Sequence, residues 1–386
     1  MSVGRLSLAC TATAAAVAIS TLAAPPTARA VPGPGGERSI TKLLTDLQTL
    51  YRKAEEATEA YNSAEGKLKT KETENKKLGD ELGKARLALG ASRALAGRMA
   101  RQQYQGESQL SAYVQLLLAR NPRTVLDQSH LIRRVAAERM RTLDRLAATE
   151  QKADDLATKA RKSLDAQQVL AAKQKKQRDA VAKRLKAVEK LLAGLSMTQL
   201  AELRKLEEAG MADAQRKFMA SGALSSVRAQ APSQAGDKAL RYAVRQIGKP
   251  YEWGAEGPAT YDCSGLTSQA WTRAGHEIPR TSQEQWATLP RIPLRDLRPG
   301  DLVIYFPKAT HVAMYLGDGM VIQAPRPGAR VKVSPIASNP LLGAVRPDPG
   351  GTAFTGYQPP RLPKGAMEGS DLGYGSATAP ISPSGV

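Results

Sequence analysis

From Ile40 to Ser92 apolar residues return every seven positions. One position reads Ile40, Leu47, Ala54, Tyr61, Leu68, Asn75, Leu82, Leu89; the position three later reads Leu43, Leu50, Ala57, Ala64, Lys71, Leu78, Ala85, Ser92. Thirteen of these sixteen are apolar, and Glu and Lys fill the intervals as a solvated face. Such a repeat lays a narrow stripe along a long helix, the seam of a coiled coil. Breaks come at Gln105-Gly106 and at Asn121-Pro122, since Pro disfavours helix at the residue before it. Between them "SQLSAYVQLLLAR" predicts a short apolar helix. A second helical run extends from about Thr124 to Leu192, with weaker periodicity through Leu126, Leu146, Leu156, Leu164, Leu170, Val181 and Val188. Two such arms, each on the order of 90 Å at ~1.5 Å per residue, predict an antiparallel hairpin; pairing with a second copy would bury the same stripe.

Beyond the helices the pattern changes. The coiled-coil region is read as 37–212, followed by a linker over 213–234 where "ASGALSSVRAQAPSQAG" loses periodicity. Residues 235–348 alternate short apolar runs with turn signals. Helices are expected at Lys238–Ile247, from Cys263, and at Ser282–Thr288. Strands are expected at Asp301–Phe306, His311–Leu316, Val321–Ala324, Val331–Val333 and Gly343–Arg346, an antiparallel sheet with helices packed on it. Residues 349–386, rich in Pro, Gly and Ser, are expected to be disordered. The fold class is thus a long α-helical coiled-coil hairpin followed by an α+β domain.

Residues 1–30 read as an export signal: Arg5, an uncharged run from Leu6 to Ala24, and Ala28-Arg29-Ala30 at the cleavage position. That places the mature protein outside the cytoplasm, secreted or associated with the cell wall, with no transmembrane segment. The formal net charge of +20 is uneven. Residues 31–234 hold 38 Lys/Arg against 24 Asp/Glu, whereas 235–348 hold 14 against 10. A basic secreted surface suits anionic wall polymers. Nucleic acid is disfavoured, because the basic residues alternate with acids and few aromatics are available for base stacking.

The chain has 2 Cys, and Cys10 lies in the signal. Cys263, in "TYDCSGLTSQAW", therefore has no internal disulfide partner, and by composition it is a buried apolar group, an intermolecular link or a nucleophile. It opens a helix, where unpaired N–H groups and the helix dipole lower a thiol pKa. Among the 3 His, His130 is in the helical region and His276 lies 13 residues beyond Cys263, too far to reach it. His311 remains as base. A three-residue loop at Gly317-Asp318-Gly319 would put His311 and Gln323 on one face, with Gln323 accepting from the ring N–H. One Cys and dispersed His cannot build a metal site, and no cofactor is implied.

"YDCSGL", "HVAMYLGDG" and "VIQAP" resemble the NlpC/P60 cysteine peptidases, as do "GKPYEWGAEGP", "IPRTSQEQW" and "LRPGDLVIYF". The resemblance covers about 110 residues. It implies a reduced papain-like fold and cleavage of peptidoglycan stem peptides between D-glutamyl and a diamino acid. It also implies that the helices can restrain the catalytic domain in cis. Carried over, Cys263 matches the nucleophile, His311 the base and Gln323 the third polar position, where relatives more often carry His, Asn, Asp or Glu. Tyr251 matches a tyrosine near the nucleophile, which either positions the scissile carbonyl or its oxyanion or packs the loop beside Trp253. Asp262 and Ser264 flank the nucleophile, Asp262 as a helix cap or a grip on a substrate amine. Arg280 belongs to a groove-side motif. An amidase or acyltransferase on the same fold, and a wall-binding adaptor with an inactive domain, are the alternatives.

Overall fold

A computed structural model describes residues 39–106, 122–224, 231–369 and 371. The expected signal, the apolar stretch 108–120 and the last fifteen residues lie outside them. Two long helices, α1 (Ile40–Gly106) and α2 (Pro122–Ala193), form the hairpin. Their pairing is antiparallel: Arg184 donates to the Lys53 carbonyl, Asn75 Nδ2 to Gln167 Oε1, and Arg93 pairs with Glu150 at 2.9 Å. Leu43, Leu47, Ala54, Ala57, Ala64 and Ala85 of the stripe are buried against α2 residues such as Val181, Leu185, Val188 and Leu156. The hairpin thus closes within one chain.

The helical region does not run unbroken to 212. A turn at Gly194 ends α2, and Ser196 starts α3 (Met197–Ala220) through a capping box with Gln199. The Ser-x-x-Gln spacing satisfies two end N–H groups reciprocally. Helix α3 turns back so that Leu203 meets Leu43, Leu47, Tyr51 and Val188. It also continues past 213, into the expected linker. There Gln215 bonds the Gly319 carbonyl and the Ala337 N–H, and Phe218 packs on the sheet. Docking holds in helix a stretch whose composition reads as linker.

The C-terminal domain has one antiparallel sheet. Its strands are β1 (Arg291–Ile292), β2 (Leu302–Tyr305), β3 (His311–Gly317), β4 (Met320–Gln323), β5 (Lys332–Pro335) and β6 (Leu341–Val345), in spatial order β1-β6-β2-β3-β4-β5. Helices α4 (Gln234–Val244) and α5 (Cys263–Arg273) cover one face through Leu240, Ala243, Leu266, Ala270 and Trp271, against Leu302, Ile304, Val312 and Met314. The other face carries Val303, Tyr305, Ala313 and Val321 beneath Phe218 and Leu224. A short α6 (Ser282–Thr288) completes the set. At the β3–β4 turn Asp318 and Gly319 take φ of 51° and 69°, and Met314 lies opposite Ile322. That register places 313 opposite 323 and leaves His311 and Gln323 on one face.

The tail is ordered over its described part. Arg298 bonds the Asp348 and Gly351 carbonyls, the Phe354 N–H donates to the Pro232 carbonyl, and Arg241 donates to the Gln358 carbonyl. Val333 N–H on the edge strand β5 donates to the Ala366 carbonyl, and Lys332 pairs with Asp371 at 2.9 Å. Pro and Gly here encode an extended strap whose backbone groups find specific partners, in place of the disorder that composition suggests.

Leu203 is wholly buried where α1, α2 and α3 meet. Leu203→Ala is expected to lower the stability of that junction by about 2–5 kcal/mol, read as a fall in the helix-dominated melting midpoint by circular dichroism.

Candidate active site

Helix α5 starts at Cys263 because Asp262 caps it: Asp262 Oδ1 accepts from Gly265 N–H at 2.6 Å. A Cβ at 265 would clash with the Ala255 carbonyl, so glycine is required for the loop to lie this close to the helix start. Cys263 is buried and receives the Val312 N–H, which sets the beginning of β3 against the thiol. His311, the preceding residue, places its Nε2 2.6 Å from Gln323 Oε1. A carbonyl oxygen only accepts, so Nε2 carries the ring proton and Nδ1 keeps its lone pair. Nδ1 has no hydrogen-bond partner among the described residues. His130 is exposed on α2, and His276 lies against Trp271, away from the thiol.

The other expected residues gather around the same helix start. Arg280 reaches Asp262 at 2.7 and 3.0 Å, Ser264 Oγ at 2.9 Å and Glu256 at 2.6 Å. Asp262 is completely buried, and a buried carboxylate is tolerated only when paired and hydrogen-bonded in this way. Tyr251 is buried near Cys263, and burial with the neighbouring thiol and carboxylates pushes its hydroxyl well above the usual range.

Helix α1 supplies residues that the sequence reading missed. Glu59, 1% exposed, accepts from Ser264 Oγ at 2.8 Å and from the Ser282 N–H at 2.8 Å, and its Oε1 lies 3.7 Å from Cys263 Sγ. Asn62 Nδ2 donates to Asp262 Oδ2 at 3.0 Å, and Tyr61 meets Trp253 edge-on at 4.9 Å. Glu55, Thr58, Glu59 and Asn62 are all buried. Their i, i+3, i+4, i+7 spacing is a second stripe beside the apolar seam. Being polar, it carries no signature that separates it from a solvated face.

This seal changes the electrostatics expected at the helix start. Instead of being lowered, the Cys263 thiol is pushed well above its usual range, first by burial and then by Glu59, Asp262 and Glu55. His311 is held down to about 4, mainly by burial, despite its bond to Gln323. Glu59 is raised to about 7 by burial and then by Asp262, and Glu55 to about 8 by burial. Thiol and imidazole are both neutral beneath α1. Among the described residues no His, Cys, Asp and Glu group is arranged to hold a metal ion, and no helix there is long and apolar enough to cross a membrane.

A model of the NlpC/P60 family matches residues 248–343. A probable endopeptidase of Corynebacterium glutamicum is 43% identical over 117 residues, covering 30% of this chain and 56% of that protein. The peptidoglycan endopeptidase RipA of Mycolicibacterium smegmatis is 37% identical over 132 residues, covering 30% of this chain and 27% of that one. The crystal structure of the P60 domain from an antigen of M. avium subspecies paratuberculosis is 32% identical, with a TM-score of 0.28, covering 29% of this chain and 93% of that chain. The chain thus spans about half the length of the first of these relatives. The matched segment runs from the loop before Tyr251 to the last strand and contains Cys263, His311 and Gln323. Over residues 248–343 this chain carries a domain of the NlpC/P60 family.

Proposed function

We propose that this protein is a peptidoglycan hydrolase, a cysteine endopeptidase acting outside the cytoplasm, and that helix α1 holds it shut. The observation that carries the enzymatic reading is the bond from His311 Nε2 to Gln323 beside a helix-opening cysteine. That bond leaves Nδ1 free to take the thiol proton, as a Cys–His nucleophile requires. The thiolate then attacks the γ-carbonyl of a D-glutamyl residue in a stem peptide, and N–H groups at the start of α5 receive the oxyanion. His311 gives its proton to the departing amine of the diamino acid. It next takes a proton from water, whose oxygen attacks the thioester and frees the thiol. Tyr251 orients the carbonyl; Asp262, Ser264 and Arg280 form the adjoining polar wall of the groove. The basic helical region suits anionic wall polymers as a surface contact.

Glu59 carries the restraint. It fills the groove at Ser264 and Ser282, and it sets a carboxyl 3.7 Å from the sulfur. Where Glu59 is ionised, two unit charges about 4 Å apart repel by roughly 4 kcal/mol at an effective dielectric of 20, enough to suppress the thiolate several hundredfold; where it is protonated, burial still disfavours the thiolate. The lock is therefore both steric and electrostatic.

The test is hydrolysis of defined muropeptides by the full chain, with products read by mass spectrometry. Glu59→Ala is expected to cleave at least tenfold faster than the unmodified protein, and Cys263→Ala not at all. Transfer of the glutamyl group to an added amine would mark an acyltransferase instead. Absence of any product from Glu59→Ala, with Cys263 alkylated as slowly as before, would sink the enzymatic reading and leave a wall-binding role.

The lock is also expected to respond to pH. Glu55 and Glu59 carry raised pKa values when docked, so docking is favoured below the free carboxyl range near 4.5 and weakens as pH rises through about 7 to 8. Trp253, packed on Tyr61, reports this. Its emission is expected to shift red between pH 5 and 8.5, and Glu55→Gln with Glu59→Gln is expected to flatten the shift.

A further inference from the structure

A neutral amide beside a histidine poses a choice that a carboxylate does not. Gln323 can offer the ring either Oε1 or Nε2. With Oε1 inward, His311 Nε2 keeps the proton and Nδ1 is a base. With the amide reversed, Nε2 of the ring must accept, the proton moves to Nδ1, and the thiol loses its acceptor. Gln323 presents Oε1 at 2.6 Å, and its own Nε2 is buried without a hydrogen-bond partner among the described residues.

The same sheet face holds a charge able to decide the matter. Lys332 lies directly opposite Gln323 in the β4–β5 ladder and pairs with Asp371 Oδ1 at 2.9 Å. Ser334, two residues along that face, donates to the same oxygen at 3.1 Å. Asp371 is 2% exposed, and its Oδ2 is a second orphaned polar atom, an acceptor on the face where Gln323 leaves a donor unmet. Its negative charge is felt at His311, where it supports the protonated ring together with Asp262 and against Arg326, and at Tyr305, which lies opposite His311. Lys332 offsets part of this charge through Oδ1 and leaves Oδ2 free. Asp371 lies well past residue 343, where the family match ends, and the strap reaches it through the Val333–Ala366 bond along the edge strand.

We propose that Asp371 is a positioning residue for His311: its buried carboxylate fixes the Gln323 amide with Oε1 toward the ring, so that Nδ1 stays free to accept the Cys263 proton. The role rests on the reading of Cys263 and His311 as nucleophile and base. It makes the tail a part of the site that the family segment alone does not contain.

The test is nitrogen-15 NMR of the imidazoles in the full chain at neutral pH, with His130 and His276 as internal references. Wild type is expected to show His311 protonated on Nε2. Asp371→Asn, equal in shape, is expected to raise the Nδ1-protonated population severalfold, and Asp371→Glu to restore the original form. Lys332→Met with Asp371→Asn removes the cation left unpaired and is expected to leave the tautomer mixed. If that double variant returns to pure Nε2 protonation, the stranded lysine was responsible and the proposal fails. In the Glu59→Ala background Asp371→Asn is expected to lower kcat about tenfold with KM unchanged, the pattern of a group acting on the chemical step. Gln323→Glu, which can only accept, is expected to abolish that sensitivity. An unchanged tautomer in Asp371→Asn, or an equal loss of kcat beside Gln323→Glu, would overturn the proposal. Because the NMR readout needs no turnover, a protein that hydrolyses nothing still answers the question.

Discussion

One buried carboxyl, that of Glu59, joins the helical hairpin to the domain behind it. It accepts from Ser264 in the first turn of α5 and from the N–H of Ser282 at the first turn of α6. At α6 it satisfies a backbone N–H that no intrahelical bond reaches, and at α5, whose cap is Asp262, it takes the Ser264 hydroxyl. To deliver it, α1 must be buried on two sides at once between Tyr51 and Ala64. The apolar side faces α2; the polar side faces Asp262, Ser264 and Ser282. Small residues at Ala54, Ala57 and Ala64 keep α2 close while the opposite side meets the domain. Helix α3 braces the arrangement from the other end, with Leu203 against α1 and Phe218 against the sheet.

That geometry explains why an argument from the helix dipole alone gives the wrong sign for Cys263. The N-terminal dipole amounts to about half a positive charge and acts best on a thiol that water can also reach. Here water is excluded, and the carboxyls of Glu59 and Asp262 stand close to the sulfur. Burial and these carboxyls outweigh the dipole. Withdrawal of α1 would reverse both terms together, by readmitting water and removing the nearer acid. On the proposed restraint, the site would therefore have two electrostatic regimes, selected by the position of α1.

What was legible in the sequence follows the same division. Periodicity found α1, α2 and the seam, since a stripe that must be buried leaves a repeat. Turn residues and apolar runs found β2 to β6, and the short β3–β4 loop put His311 with Gln323. The polar face of α1 left no trace, because Glu55, Glu59 and Asn62 read like any solvated acid or amide until a partner surface is known. Linker and tail failed for a related reason. Composition reports how little apolar surface a segment can bury by itself, whereas Gln215, Phe218 and the strap residues up to Asp371 are ordered by bonds to surfaces distant in sequence. The capping box at Ser196-x-x-Gln199, which starts α3, is a signal in the sequence that the periodicity reading passed over.

The proposed functional unit accordingly extends past the family segment in both directions. Residues 248–343 contain Cys263, His311 and Gln323, the proposed nucleophile, base and amide partner, yet two charges that bear on those groups lie outside. Glu59 approaches from some 200 residues upstream and opposes the thiolate. Asp371 approaches through the tail and supports the protonated imidazole. The two acids would act with opposite consequences because they sit on opposite sides of the proposed proton transfer. A negative charge beside the donor sulfur raises the cost of losing the proton. One beyond the accepting ring lowers the cost of gaining it. Leaving the first behind while retaining the second is the direction in which release of α1, with the strap still in place, would drive the pair.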